Sequence, residues 1–409
     1  MIIRSAVTCD TCGRLHVVRI GMGQEEHQSH HFPCRGCGED IGVGLQVDYA
    51  NVSAWPLAEM NCTLAEETVG AEIVNLDANF LIPVADQGRD MTFSRLNQMH
   101  ALAEKAVAGG MKPTKLDMDD PQLNHRPLRR PDYNAEWLEL RRAWTLHRRG
   151  QEVLSRGVIK KATAKLYPEN PLAGLPDWLF RLSLFLAASH HYPMLKAMIE
   201  RVRPVFATPA FKAFTDHYGH EMADAHARKY LSIMTEYFSG YAEFAQVQLL
   251  VTNGLPVPPG HRVTSSDFGK TRMFYGNAFE AHADLVDVIA MLNNLLQGRA
   301  YNVFERLTLK KYYEIDKSGR CNCFANEPDL AAISVEADNQ LRNASHHGGM
   351  DFDSMTQMIT YRAGKGGKGP KQQMTYTEYL IRCVRLFMQI MTLLQFELLM
   401  AQTHEHWPL

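Results

Sequence analysis

The 409-residue sequence predicts a mainly α protein, with a small β domain at the N-terminus, a helical middle domain and a C-terminal helical bundle. Three observations lead there. From Tyr133 onward apolar residues recur at the three-and-four spacing of amphipathic helices, whereas strand-like alternation is confined to residues 1–84. Two tight cysteine pairs near the start have the spacing of a metal-held β element. With 45% hydrophobic and 22% charged residues the chain can bury a real core, which excludes a disordered or collagenous polymer.

Residues 1–84 form the β domain: Ile41, Val43, Leu45 and Val47 alternate with Gly and Gln, and a second apolar stretch runs from Ile73 to Ile82. After a short helical pattern at Leu96–Val107, the breakers Gly109-Gly110, Pro113, Pro121, Pro127 and Pro131 make 85–132 a linker. Residues 133–260 are the helical middle domain. There Trp137 and Trp144 share one helical face, and amphipathic stretches follow at Pro176–Glu200 and Tyr218–Leu250. Residues 265–409 read as a further helical domain. Its first stripe, Phe274, Ala278, Ala281, Leu285, Val288, Leu292 and Leu295, is closed by Gly298; its second, Leu330, Ile333, Ala337, Leu341 and Ala344, ends at Gly348-Gly349. Thr375 and Glu378 form a capping box for a last helix running to about Gln402.

That last helix is apolar nearly all round. Its most apolar stretch, Leu386–Phe396, is shorter than the roughly 20 residues a membrane span needs, so a buried helix and no membrane association are expected. So apolar a surface is also more than one small bundle readily covers, which predicts a homodimer through 265–409. The opening MIIRSAVTCD lacks a charged start followed by an apolar run, so a cytoplasmic protein is expected.

Cys9-x-x-Cys12 and Cys34-x-x-Cys37, 21 residues apart, have the spacing of two knuckles that each offer two thiolates to one tetrahedral Zn²⁺. Gly13, Gly36 and Gly38 stand where such knuckles turn tightly. A closed four-thiolate site leaves no open coordination position, so this zinc is expected to be structural. His16, His27, His30 and His31 read as surface residues rather than ligands, and His217, His220, Glu221 and His226 as helix surface.

Forty-three Lys and Arg against 45 Asp and Glu give a net charge of −2, so any basic surface must be local. Between Arg126 and Lys165 eleven basic residues face four acidic ones; with Trp137 and Trp144 among them, this stretch suits a phosphate backbone or, equally, a solvated helix face over two core tryptophans. The glycine-rich loop bearing Arg362, Lys365, Lys368 and Lys371 contains no acid and is the better candidate for gripping RNA.

The stretch Asp338-Asn-Gln-Leu-Arg342-Asn343-Ala-Ser-His346-His347 places Asp338, Arg342 and His346 on one helical line, with Asn339, Asn343 and His347 on the next. Asp338 is thus placed to orient the arginine. An arginine that keeps its charge and a histidine that titrates near neutrality are what RNA cleavage without a catalytic metal requires: one holds the phosphate, the other moves a proton.

Arg342-Asn343-x-x-x-His347 resembles the Arg, four to six residues, His signature of the HEPN superfamily, and the likeness spans about 265–405. The resemblance implies an α-helical bundle, a homodimer whose two motifs share one site, and a metal-independent endoribonuclease with Arg342 and His347 catalytic and Asn343 beside them. It also implies service as a gated toxin or anti-phage defence effector, under a regulatory protein or nucleic-acid partner. The competing expectation is a non-catalytic HEPN-like binding or scaffold protein. Ideal geometry favours His346 instead, because five residues advance a helix by roughly 500° and leave Arg342 and His347 about 140° apart. His346 therefore stays as the reserve base.

Overall fold

The structure is a computed structural model and describes residues 2–22, 26–48, 51, 53–66, 71–76, 82–83, 133–167, 172, 174–187, 191–257, 261–263, 268–346, 349–353, 356–362, 364 and 369–403. The linker expected at 85–132 lies outside them. In chain order the chain forms β1 (Ile2–Cys9), β2 (Leu15–Gly21), β3 (His27–Pro33), β4 (Asp40–Asp48), β5 (Ser53–Met60), β6 (Cys62–Ala65), β7 (Glu72–Asn75) and β8 (Ile82–Pro83). Helices α1 (Tyr133–Arg148), α2 (Glu152–Leu166), α3 (Leu175–Ala187), α4 (Tyr192–Val202), α5 (Pro209–His217), α6 (Ala223–Ser239) and α7 (Tyr241–Thr252) follow. Then come β9 (His261–Arg262), α8 (Phe268–Arg272), α9 (Phe274–Leu285), α10 (Asp287–Leu296), α11 (Leu309–Glu314), α12 (Pro328–Ala331) and α13 (Asn339–His346). The chain closes with β10 (Met350–Asp353), β11 (Met358–Arg362), β12 (Lys371–Thr375) and α14 (Tyr376–Thr403).

The fold class is mixed α/β rather than mainly α: of the described residues 59% are helical and 21% lie in strands, an ordinary share of strand for a mixed protein. The expected C-terminal HEPN-like bundle is corrected with it, because a three-stranded sheet interrupts 265–409. The chain forms two compact units, each drawn from three segments: Met1–Gly109, Gly240–Arg272 and His347–Val384 in the first, Gly110–Ser239, Met273–His346 and Arg385–Leu409 in the second.

In the first unit, β6-β1-β2-β7 and β3-β4-β5 make two sheets, with β7 running parallel to β2. The alternation read on β4 is borne out: Ile41, Val43, Leu45 and Val47 are buried with Val7, Val18, Ile20 and Phe32 in one core. β8 pairs with β9, and β10-β11-β12 form a meander. Thr375 caps α14 by accepting from the Glu378 backbone N–H at 3.1 Å. Within the same unit the Tyr376 hydroxyl donates to Glu243 at 2.9 Å, and Phe268 stacks on Phe352.

In the second unit Trp137 and Trp144 are 1% and 0% exposed, so both are core anchors and neither can stack on a base. Trp137 lies against Phe238 of α6. The first C-terminal stripe is divided between α9 and α10, and Gly298 closes α10 at a φ of +72°. The second stripe buries four of its five side chains, Leu330, Ile333, Leu341 and Ala344, on α12, a 3₁₀ turn and α13 rather than on one helix, while Ala337 is half-buried between them.

Among the described residues α14 is long and apolar enough to cross a membrane, yet 89% of its most apolar window is buried inside the protein. Its apolar surface therefore gives no separate reason for a dimer.

Candidate functional site

The two cysteine knuckles are built alike. β1 and β3 each end in a Cys-x-x-Cys-Gly turn, and β2 and β4 carry the chain away from it. The Gly13 N–H donates to the Cys9 carbonyl at 2.8 Å and the Gly38 N–H to the Cys34 carbonyl at 2.9 Å. Both glycines have positive φ, +73° and +81°, which a side chain would resist. All four sulfurs lie within 4.8 Å of one another, with Cys9 to Cys37 at 3.8 Å and Cys12 to Cys34 at 3.6 Å. These are not disulfide lengths. A tetrahedral ion with metal–sulfur bonds of about 2.3 Å sets its ligands about 3.8 Å apart.

Burial pushes the Cys34 thiol up, but the N–H groups of Cys37 and Gly36 and the neighbouring thiols outweigh it and hold its pKa near 7. For Cys37 the Glu39 N–H pulls down, while lost solvation and three neighbouring sulfurs push it up to about 12. Four sulfurs converging at these separations can ligate one cation, and the cluster is compatible with a structural metal site. His16 is buried rather than exposed and accepts from the Arg35 backbone N–H at 3.3 Å.

Asp338 does not orient Arg342. It caps α13 instead, accepting from the N–H groups of Gln340 and Leu341 at 2.8 and 3.2 Å. Arg342 is held by α9: its Nε donates to Glu280 at 2.6 Å, its Nη2 to the same carboxylate, and its Nη1 to Asn343 Oδ1 at 2.7 Å. The Arg342 side chain is 25% exposed. One turn away on each helix, Gly276 faces His346, and a Cβ on that glycine would fall inside the imidazole. Thus Arg342 and His346 do share a face. His346 Nε2 is buried with no hydrogen-bond partner among the described residues. Nearby, burial raises the Glu236 carboxyl, while the Asn277 amide at 2.7 Å and the His346 charge pull against it. His347 lies outside the described residues.

The sequence does not single out the acids behind this face, although Glu280, Asp284 and Asp287 stand at spacings of four and three along α9 and the start of α10. Lys317 bridges Glu280 at 2.7 Å and Asp284 at 3.0 Å; Asp284 also takes Lys229 and Arg320, each at 2.6 Å. Asp287 accepts from the Tyr312 hydroxyl at 2.9 Å, and burial raises its pKa to about 6. Opposed by burial but overcome by Lys317 and their other cations, Glu280 and Asp284 are held below the usual carboxylate range.

His226 is buried rather than on the helix surface, and its Nδ1–H donates to the Glu397 carboxylate at 3.0 Å. Tyr218 and Tyr230 donate to that same carboxylate, the latter at 2.8 Å. In the sequence Glu397 directly follows the apolar stretch Leu386–Phe396, and nothing local marks it as a partner for His226. In the β11–β12 hairpin Arg362 lies opposite Lys371, and both are exposed. Lys365 and Lys368 lie outside the described residues. No family model, no curated protein and no solved structure matches the chain.

Proposed function

We propose that the protein is a metal-independent endoribonuclease acting through Arg342 and a histidine of the α13 end, His347 or His346. The observation that carries the reading is the fixed guanidinium: Arg342 is gripped by Glu280 and Asn343 on its buried side, keeps a quarter of its side chain exposed, and shares its helix face with His346. A guanidinium positioned before substrate arrives loses little freedom on meeting a phosphate.

In the proposed reaction the histidine accepts the proton of a ribose 2′-hydroxyl, and the freed oxygen attacks phosphorus. The bond to the 5′ oxygen breaks, that oxygen takes up a proton, and a 2′,3′-cyclic phosphate and a 5′-hydroxyl remain. Arg342 stabilises the charge that builds on the phosphate. Asn343, bonded to Arg342, positions it. Arg362 and Lys371, which lie opposite one another in the β11–β12 hairpin, are proposed RNA contacts together with Lys365 and Lys368. The HEPN resemblance supports the same chemistry, a homodimer, and control by a partner protein or nucleic acid in a toxin or anti-phage defence setting. Zinc is the metal proposed for Cys9, Cys12, Cys34 and Cys37, since the paired sulfur separations of 3.6 and 3.8 Å suit its bond length.

A second reading, a non-catalytic binding or scaffold protein, is favoured by the Glu280 carboxylate, which neutralises Arg342 and ties it into a chain of ion pairs. Incubating purified protein with total RNA in excess EDTA, then analysing product ends, separates the two. Cyclic phosphate and 5′-hydroxyl ends from the parent and none from Arg342→Ala support the nuclease. No cleavage under any condition, with Arg342→Ala affecting stability alone, supports the scaffold.

A further inference from the structure

A cleft of about 890 Å³ opens in the second unit between the end of α10, the loop 299–307 and the turns at 315–327. Its volume is that of a small-molecule site. Carboxamides dominate the polar wall: Asn293, Asn294, Gln297, Asn322 and Asn326. Two arginines, Arg299 and Arg306, stand against three carboxylates, Glu305, Asp316 and Glu327, so the wall carries no surplus positive charge for a phosphate. Phe304 and Phe324 supply apolar surface, and Phe304 is fixed by stacking on Tyr312 with centroids 4.6 Å apart.

Two neighbouring asparagines of this wall differ in one respect. Asn294 is satisfied at both ends, donating to the Tyr301 carbonyl at 2.7 Å and accepting from Arg299 at 3.2 Å. Asn293 is 4% exposed and donates its amide to the Cys323 carbonyl at 2.7 Å. A carbonyl can only accept, so that bond fixes which end of the side chain is oxygen. Asn293 Oδ1 is then left buried with no partner among the described residues. A buried acceptor without a donor is unfavourable, and a ligand that brings an O–H or N–H relieves it.

We propose that this cleft binds a small, uncharged, donor-rich ligand the size of a nucleoside or disaccharide, with Asn293 Oδ1 accepting one of its O–H or N–H groups. The site is independent of the chemistry at Arg342. Nucleosides and sugars share the required donors, and the test distinguishes them.

The intact protein is titrated by calorimetry with adenosine, guanosine, cytidine, uridine, maltose and lactose, and with adenosine monophosphate as the charged comparator. Saturable binding of at least one neutral probe is expected, and the class that binds names the source. The phosphate should add nothing. Ser318→Trp, at an exposed wall position, should abolish binding, and Asn293→Leu should weaken it roughly tenfold to a hundredfold. Should Asn293→Leu fail to fold, Ser318→Trp decides. The proposal is overturned if no neutral probe binds at millimolar concentration, if Ser318→Trp binds as the parent does, or if the monophosphate binds more tightly than adenosine.

Discussion

Two nitrogens of Arg342, Nε and Nη2, donate to a single carboxylate oxygen of Glu280, so the arginine is held from the neighbouring helix rather than by Asp338 of its own. The pair is 25% and 24% exposed, between a solvated ion pair and a buried one. Glu280→Gln should cost about 1–3 kcal/mol in urea denaturation. In a double-mutant cycle with Arg342→Ala, the two changes together should cost less than their sum. Strict additivity would show that the contact contributes nothing.

Asp287 should give the pH dependence of stability a distinct local signature. Its folded pKa, raised to about 6 by burial against an ordinary 3.8, makes its stability contribution greatest in acid and lost as pH rises through 6. Glu280 and Asp284 are depressed, so theirs is present at neutral pH and lost as pH falls through their folded values. Asp287→Asn removes the first contribution alone. The stability of the parent relative to this variant should therefore rise by about 1–3 kcal/mol between pH 7.5 and 4.5. A flat difference across that range would refute the raised value.

Gly276 is where α9 meets the His346 ring, and no side chain fits between them. Gly276→Ala should lower stability by about 1–3 kcal/mol, as overpacking does. Adding His346→Ala should restore part of the loss, which thermal denaturation of the single and double variants would show. If the double variant is no more stable than Gly276→Ala, the clash lies elsewhere.

One zinc per chain should be found by elemental analysis of protein purified without chelator. Cys34→Ser should abolish it and melt the strands that carry the knuckles, because site formation and local folding share one free energy. A metal-free protein with unchanged far-UV circular dichroism would contradict this.

Much of the local structure was legible from residue type and spacing. The alternation of Ile41 to Val47, the two knuckles, the cap at Thr375 and the buried course of α14 depend on neighbours close in sequence or on one repeating pattern. What long-range packing decides was not legible. The strands β10–β12 interrupt an otherwise helical text, and the second stripe, although buried at four of its five positions, is divided by a 3₁₀ turn. At the candidate site the share of a face by Arg342 and His346 follows from helical period alone. Its partner Glu280 lies 62 residues away in sequence, and Glu397 lies 171 from His226, so neither pairing leaves a local signal.

The most direct test of the nuclease reading is the rate of RNA cleavage by the parent, Arg342→Ala, His346→Ala and His347→Ala in excess EDTA, each first shown to be folded. Removing a general base costs on the order of 10² to 10⁴ in rate, readily seen on a gel. Arg342→Ala and one of the two histidine variants should lose cleavage by that margin. Loss in His347→Ala follows the motif spacing, and loss in His346→Ala follows the shared helix face. Cleavage by all three variants at the parental rate, or none by the parent, would contradict the assignment of this site.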